Sequence, residues 1–167
     1  MYKVLIVDDE QLIRSGMIAR FQYLNFKFER IREAASGVEA LALLEKEPAD
    51  IVITDIKMPG MDGITLLKRL KQEKISIQSL VLSCFDEFEL VREAMKYGAH
   101  DYIRKLSIDP AKLLEVLKEM KEAVSDQPEK NARWKWRFSG NISWKRNRKD
   151  GCRKRRSTIF GRTTQHF

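Results

Sequence analysis

The chain has 167 residues, enough for one core domain and a tail but too few for two full domains of ordinary size. Its hydrophobic residues, 43% of the total, form no run of about 18 that could span a bilayer and no apolar stretch behind a basic start that would mark a secretory signal. The formal net charge of +8 belongs to the tail, because residues 126–167 hold 13 Lys+Arg against 3 Asp+Glu (+10) while residues 1–125 hold 19 against 21 (−2).

Short apolar runs alternate with stretches of helical period along residues 1–125, a pattern typical of βαβ units that build a parallel sheet. We predict strands at 2–7, 29–34, 50–55, 79–83 and 101–104. Apolar residues at helical spacing predict the buried faces of two helices, Ile13, Met17, Phe21 and Leu24 in the first and Leu113, Leu117, Met120 and Val124 in the last. The predicted fold is a flavodoxin-like α/β domain, a doubly wound five-stranded parallel sheet of order 2-1-3-4-5 with five helices.

Several helix starts carry capping signals. These are the capping-box pairs Ser36/Glu39 and Asp86/Glu89, and the cap Asp109 followed by Pro110. After Val124 the sequence becomes polar and contains the helix-stopping Pro128, and apolar periodicity does not return. We therefore expect the domain to occupy residues 1–125.

Polar side chains follow four of the predicted strands. Asp8 and Asp9 follow the first strand and Asp55 ends the third, so a parallel sheet would bring the three acids together at its carboxyl edge, where strand order reverses. Clustered carboxylates repel one another unless a hard cation lies between them, most often Mg²⁺ with oxygen ligands. Ser83 and Lys105, which end the fourth strand and follow the fifth, would lie at the same edge.

These residue types suit phosphoryl transfer, in which catalysis is mostly positioning and charge neutralisation. Asp8 and Asp9 would hold Mg²⁺, and Asp55 would attack phosphorus to form an acyl phosphate. Ser83 would hydrogen-bond one phosphoryl oxygen and Lys105 would pair with another. Each residue alone could have an ordinary structural role, as a loop acid, a turn hydroxyl or a surface amine. Their occurrence together at the strand ends favours the interpretation as a phosphoryl-transfer site.

The motifs Val-Asp-Asp-Glu at 7–10 and Thr-Asp-Ile-Lys-Met-Pro-Gly-Met-Asp-Gly at 54–63, with Ser83 and Lys105, resemble those of bacterial response-regulator receiver domains over residues 1–125. Segments 82–88 and 94–102 are most similar to regulators of the AraC type (YesN-like).

The resemblance implies that Asp55 accepts a phosphoryl group from a sensor histidine kinase and that the Lys57 backbone carbonyl completes the Mg²⁺ shell. It also implies that Tyr102 is an aromatic switch partnering Ser83, although spacing alone fits a packed strand aromatic equally well. The protein would then be a switch and not an enzyme. The surface of the fourth helix, fifth strand and fifth helix would form a homodimer or meet an output partner, in this family usually for transcription control.

One position departs from the family pattern. The family usually places proline after the active-site lysine, in a cis peptide, whereas Leu106 follows Lys105 here. A cis bond before a residue other than proline costs about 3–4 kcal/mol, so we predict a trans bond and a changed loop path. Cys84 and Cys152 lack disulfide or metal-ligand spacing, which fits the cytoplasm, and we expect Cys84 and His100 to be bystanders.

The tail, residues 126–167, interleaves basic clusters with all three tryptophans of the chain. Such a composition could bind single-stranded nucleic acid nonspecifically. It shows no helix-turn-helix period and is shorter than the roughly 100 residues of an AraC-type output domain. The sequence leaves open a disordered basic arm or a truncated or frameshifted remnant. DNA contact is expected only through this tail or a separately supplied output domain.

A rival function uses the same acids. Aspartate-nucleophile phosphohydrolases also combine Mg²⁺ with an attacking carboxylate, but they need a second acid two residues beyond it. Here that position is Lys57, which counts against turnover.

Overall fold

The structure is a computed structural model that describes residues 2–73, 75, 77–84 and 88–125. The strands are β1 Lys3–Val7, β2 Arg30–Ala34, β3 Ile51–Asp55, β4 Gln78–Ser83 and β5 Asp101–Arg104. The helices are α1 Gln11–Tyr23, α2 Gly37–Lys46, α3 Gly63–Gln72, α4 Phe88–Lys96 and α5 Pro110–Ser125, with a 3-10 turn at Lys105–Ser107. The predicted strands differ from these by no more than one residue at either end.

The five strands form one parallel sheet in the order β2-β1-β3-β4-β5, which confirms the predicted topology. Helices α1 and α5 pack on one face, and α2, α3 and α4 pack on the other. Because both faces are covered, the central strands read as continuous apolar runs. Strand β3 is buried at all five positions, whereas the edge strand β2 is buried only at Ala34.

The predicted helix faces point into the core. Met17 and Phe21 of α1 are buried, as are Leu113, Leu117 and Met120 of α5, while Ile13, Leu24 and Val124 are half-buried. All of these except Ile13 belong to the cluster that packs against alternate side chains of the sheet, so the 3.6-residue period of the helices matches the two-residue period of the strands.

The capping predictions are confirmed where the structure describes them. The Glu39 N–H donates to Ser36 Oγ at 3.2 Å, and the Ala111 N–H donates to Asp109 Oδ1 at 2.9 Å. Helix α3 has a cap that was not anticipated from the sequence, in which Asp62 Oδ1 accepts the Thr65 N–H at 2.7 Å. An aspartate at this position satisfies one of the unpaired N–H groups of the first turn.

Some predictions fall on parts of the chain that the structure leaves undescribed. Asp86, one half of a predicted capping box, lies outside the described residues, and so do the tail at 126–167 and every prediction made for it. Within the described residues, none of the helices is both long enough and apolar enough to cross a membrane.

Candidate functional site

The polar residues of the site continue rows of buried side chains on the α1/α5 side of the sheet. Side chains alternate between the two faces of a strand, so residues two apart share a face. Asp8 follows Ile6, Asp55 follows Ile53, and Lys105 follows Ile103. The apolar rows therefore carry these three polar side chains to the carboxyl edge of the sheet, as the sequence predicted.

Lys105 lies between two of the acids. Its Nζ is 2.6 Å from Asp8 Oδ2 and 2.8 Å from Asp55 Oδ2, and its side chain is only 1% exposed. Asp9, next to Asp8, is exposed to solvent. The structure thus brings together one buried cation, two buried carboxylates and one solvent-facing carboxylate.

Burial sets the acid–base behaviour of the pair at the centre. Desolvation raises the pKa of Asp55, and the hydrogen bond and positive charge of Lys105 offset this only in part. Burial by itself would lower the pKa of Lys105, but its contacts with Asp55 and Asp8 outweigh that effect and raise the pKa. Lys105 is therefore cationic at neutral pH. When all three carboxylates are ionised, the cluster carries a net charge of −2.

That donor set fits a divalent cation such as Mg²⁺. One carboxylate oxygen from each of Asp8, Asp9 and Asp55 lies within 4.8 Å of the others. Opposite ligands of an octahedral Mg²⁺ are about 4.2 Å apart, since each lies about 2.1 Å from the ion. Asp8 Oδ2 is buried and makes no hydrogen bond of good geometry, although it is in close ion-pair contact with Lys105. Lys57, the predicted carbonyl ligand, follows Asp55 by two residues in the β3–α3 loop.

The β3–α3 loop is packed tightly against the backbone of Asp55. Asp55 Oδ1 accepts the Ile56 N–H at 2.7 Å, and the Gly63 N–H donates to the Ile56 carbonyl at 2.8 Å. A Cβ at Gly63 would lie 2.0 Å from the Asp55 carbonyl oxygen, closer than any side chain tolerates. Glycine at the start of α3 therefore allows the helix to sit directly on the residue that would carry the chemistry.

Ser83 and Tyr102 lie on the other side of the sheet. In the β3–β4 register Asp55 is opposite Leu82, so the buried Ser83 is one residue further towards the carboxyl edge. Tyr102 is opposite Val81 in the β4–β5 register, and alternation places it on the same sheet face as Ser83. Its half-buried ring packs with the apolar cluster between the sheet and helices α3 and α4. The switch role of Tyr102 stays a prediction.

The loop after β5 has the trans bond predicted from Leu106, and the changed loop path stays a prediction. The Lys105–Leu106 peptide bond is trans, and Leu106 is 85% exposed at the surface beside the site. His100 lies just before the start of β5, at the opposite end of the sheet from the acids. Its Nε2 is 3.5 Å from Glu119 Oε2 of α5. Cys84 is a half-buried free thiol.

One contact of the site was missed from the sequence. Arg14 of α1 donates from Nη1 to the Asp8 carbonyl oxygen at 2.7 Å, and its Nε lies 3.0 Å from Glu33 Oε2. An arginine in a helix normally reads as a solvated surface residue, and no motif marks Arg14 as different. Only the packing of α1 against the end of β1 reveals the contact.

Comparison with known proteins identifies similar sequences. Residues 4–118 match the family described as response regulator receiver domain. The chain is 38% identical over 126 residues to the Bacillus subtilis protein named uncharacterized transcriptional regulatory protein YesN, an alignment covering 75% of this chain and 33% of that protein. Across the first curated relatives, including Staphylococcus aureus HptR, the chain spans from about a third to about half of their length.

Solved structures show the same fold. A two component transcriptional regulator AraC from Clostridium phytofermentans is similar with a TM-score of 0.68 and 32% identity, over 75% of this chain and 97% of that one. The receiver domain of AraT, a response regulator from Geobacillus stearothermophilus, is similar with a TM-score of 0.64 and 35% identity, over 75% and 96% of the two chains.

Proposed function

Because this chain belongs to the family of response regulator receiver domains, we propose that it is a switch controlled by phosphorylation of Asp55. Membership makes it the receiver domain of a two-component response regulator, a family of switches and not of enzymes in the usual sense. The observation that carries the proposal is the placement of Lys105 Nζ within 2.8 Å of Asp55 and 2.6 Å of Asp8, beside Asp9. A buried cation against two acids at the carboxyl edge supports the proposal, because phosphoryl transfer depends on positioned charges that stabilise the phosphoryl oxygens.

The reaction forms one bond and breaks one. A carboxylate oxygen of Asp55 attacks phosphorus, the bond from phosphorus to the leaving group of the donor breaks, and an acyl phosphate remains on Asp55. Asp55 reacts as the carboxylate, so no proton has to be removed from it.

The other residues of the site bind and orient the phosphoryl group. Asp8, Asp9, Asp55 and the backbone carbonyl of Lys57 would hold Mg²⁺, which when bound neutralises charge on the phosphoryl oxygens. The Lys105 ammonium, already beside Asp55, pairs with one phosphoryl oxygen.

A local rearrangement would then report the modification. Ser83 donates its hydroxyl to another phosphoryl oxygen, and Tyr102 turns inward as Ser83 moves. This can favour the active conformation only by as much as the phosphoryl group binds that conformation better.

We propose that the donor is a sensor histidine kinase in the cytoplasm and that the output is transcription. The names of the curated relatives describe transcriptional regulators, of which this chain spans about a third to a half. The active form would dimerise or meet its output partner through α4, β5 and α5. Phe88 and Met95, seven residues apart on α4, support this surface because they are 73% and 45% exposed. DNA contact would come from an output domain supplied to this one or from nonspecific binding by residues 126–167.

A mass measurement tests the central step. Incubation with Mg²⁺ and acetyl phosphate should add about 80 Da to the intact chain, as acyl phosphate formation requires, and EDTA should abolish the gain. Asp55→Asn should show no gain. Asp62→Asn is the matched control, because Asp62 lies in the same loop but its carboxylate caps α3, and asparagine also caps helices well. A gain that persists in Asp55→Asn, or its absence from the unmodified sequence, would contradict the proposal.

A further inference from the structure

The side chain of Arg14 in α1 contacts residues outside its own helix and outside the apolar core. Its Nη1 lies 2.7 Å from the Asp8 carbonyl oxygen and 3.5 Å from that of Asp9. Its Nε lies 3.0 Å from Glu33 Oε2, and its side chain is only 13% exposed. The guanidinium group thus connects the loop that carries both acids to strand β2, because its Nη1 bonds the loop and its Nε pairs with Glu33.

The position of this charge matters for a cation site. A guanidinium beside two carboxylates would normally pair with them and reduce their attraction for Mg²⁺. Arg14 instead binds backbone carbonyl oxygens, and the carboxylate of Glu33 compensates its charge. Arg14 therefore holds the backbone of Asp8 and Asp9 without pairing with the carboxylate of either residue.

Two other hydrogen bonds of the β1–α1 loop involve the backbone of β2 or a carboxylate of the site. The Asp8 N–H donates to the Ala34 carbonyl at 3.1 Å, and the Glu10 N–H donates to Asp8 Oδ1 at 3.0 Å. The second of these bonds uses a carboxylate oxygen of a ligand residue. The start of α1 has no side-chain cap, since Glu10 makes no capping hydrogen bond. Among the contacts described, Arg14 is therefore the side chain from outside this loop that holds its backbone without using the carboxylate of Asp8 or Asp9.

We propose that Arg14 is a positioning residue for the divalent cation, and that Glu33 sets the orientation of its guanidinium. This inference rests on the proposed function, because it takes Asp8 and Asp9 as the Mg²⁺ ligands. Arg14 lowers the freedom of the two carboxylates before the cation arrives, so its loss weakens Mg²⁺ binding and leaves the attack by Asp55 intact.

The experiment separates cation affinity from chemistry. Initial rates of phosphorylation by acetyl phosphate are measured against Mg²⁺ concentration, and Mg²⁺ binding without phosphodonor is measured by isothermal titration calorimetry. Arg14→Ala should raise the half-saturating Mg²⁺ concentration and the dissociation constant about tenfold, the lower end of the effect seen when a partner that orients a metal ligand is lost. The maximal rate at saturating Mg²⁺ should stay within about twofold of the original.

Two further variants refine the test. Glu33→Gln should shift the Mg²⁺ dependence in the same direction by a smaller factor, because the guanidinium stays but loses its charged partner. Arg20→Ala is the matched control, since Arg20 is an exposed arginine of the same helix whose side chain, among the contacts described, bonds only the Gly16 carbonyl, at 3.3 Å. It should leave the Mg²⁺ dependence unchanged.

The outcomes distinguish this inference from its premise. An unchanged Mg²⁺ dependence in folded Arg14→Ala, with normal phosphorylation of the original sequence, overturns the role of Arg14 alone. Failure of the original sequence to bind Mg²⁺ or to be phosphorylated overturns the proposed function and this inference with it. If circular dichroism shows that Arg14→Ala is unfolded, Arg14→Lys replaces it. Lysine lacks the planar fork that reaches both partners, so an unchanged Mg²⁺ dependence there also overturns the inference.

Discussion

Replacing Lys105 with methionine removes the buried cation at the centre of the site and leaves the carboxylates of Asp8 and Asp55 facing each other. The side chains of Lys105 and Asp8 are each 1% exposed and that of Asp55 is 9% exposed, so water screens their charges little. Breaking a buried ion pair by removing one partner costs about 3–5 kcal/mol. In a domain of this size that lowers the melting temperature by about 10–20 °C.

The stability lost in Lys105→Met should depend on the Mg²⁺ concentration and on pH. Mg²⁺ should restore much of the stability, because a divalent ion can take over the neutralisation that Lys105 provides. Acidification should also restore stability, because protonation of Asp55 removes its negative charge. Burial already raises the pKa of Asp55, and loss of Lys105 raises it further. A carboxyl group with a raised pKa contributes stability below its unfolded-state pKa of about 3.9 and loses it as the pH rises through the folded-state pKa, so the variant is weakest at neutral pH.

Thermal and urea unfolding followed by circular dichroism would measure this, at pH 7 in EDTA and again with Mg²⁺. Lys112→Met is the matched control, because Lys112 is half-exposed and its ion pairs with Glu115 and Asp101 are 3.4 and 3.7 Å long. Exposed pairs are worth less than about 1 kcal/mol. If Lys105→Met were as stable as the original sequence in EDTA, the reasoning from a buried three-charge cluster would be refuted.

Further predictions concern the packing and the caps. Gly63→Ala should lower the free energy of unfolding by about 1–3 kcal/mol, since its Cβ would lie 2.0 Å from the Asp55 carbonyl oxygen. Gly16→Ala in α1, where a Cβ meets only a movable arginine end, should instead raise it by about 0.5–1 kcal/mol; urea midpoints compare the two. The hydrogen bond from Lys3 lowers the pKa of Glu47, so its stabilisation is present above the ordinary glutamate pKa and lost as the pH falls through the lowered value. Glu47→Gln should therefore lower the urea midpoint at pH 7 and leave it unchanged in acid. Ser36→Ala should cost about 1 kcal/mol in the same assay, by removing the α2 cap.

The fold could be predicted from the sequence because its determinants are local. Parallel strands covered on both faces are apolar throughout, and the apolar residues of helices packed on them recur with a period of 3.6. Strand β3 and the buried face of α5 can therefore be predicted without coordinates. The cap at Ser36 depends on residues three apart and was equally visible. The cap at Asp62 has the same chemistry, but Thr65 stands three residues later, so the Glu or Gln that completes a capping box is missing there.

The candidate site was predictable in its members but not in its contacts. Once the strands were placed, Asp8, Asp55 and Lys105 had to reach one edge, because parallel strands all end there. Spacing could not show that Lys105 contacts both acids at once, or that Ser83 lies on the opposite face from Asp55.

The sequence by itself thus determined the order of elements, the edge at which the acids gather and the family whose motifs they carry. Tertiary structure alone decided that Arg14 bonds the Asp8 backbone and pairs with Glu33, and that Gly63 admits α3 onto the Asp55 carbonyl. The reason is physical. Periodicity and capping involve neighbours along the chain, whereas these contacts join side chains and backbone of different elements, and a difference of one ångström in packing decides whether they form.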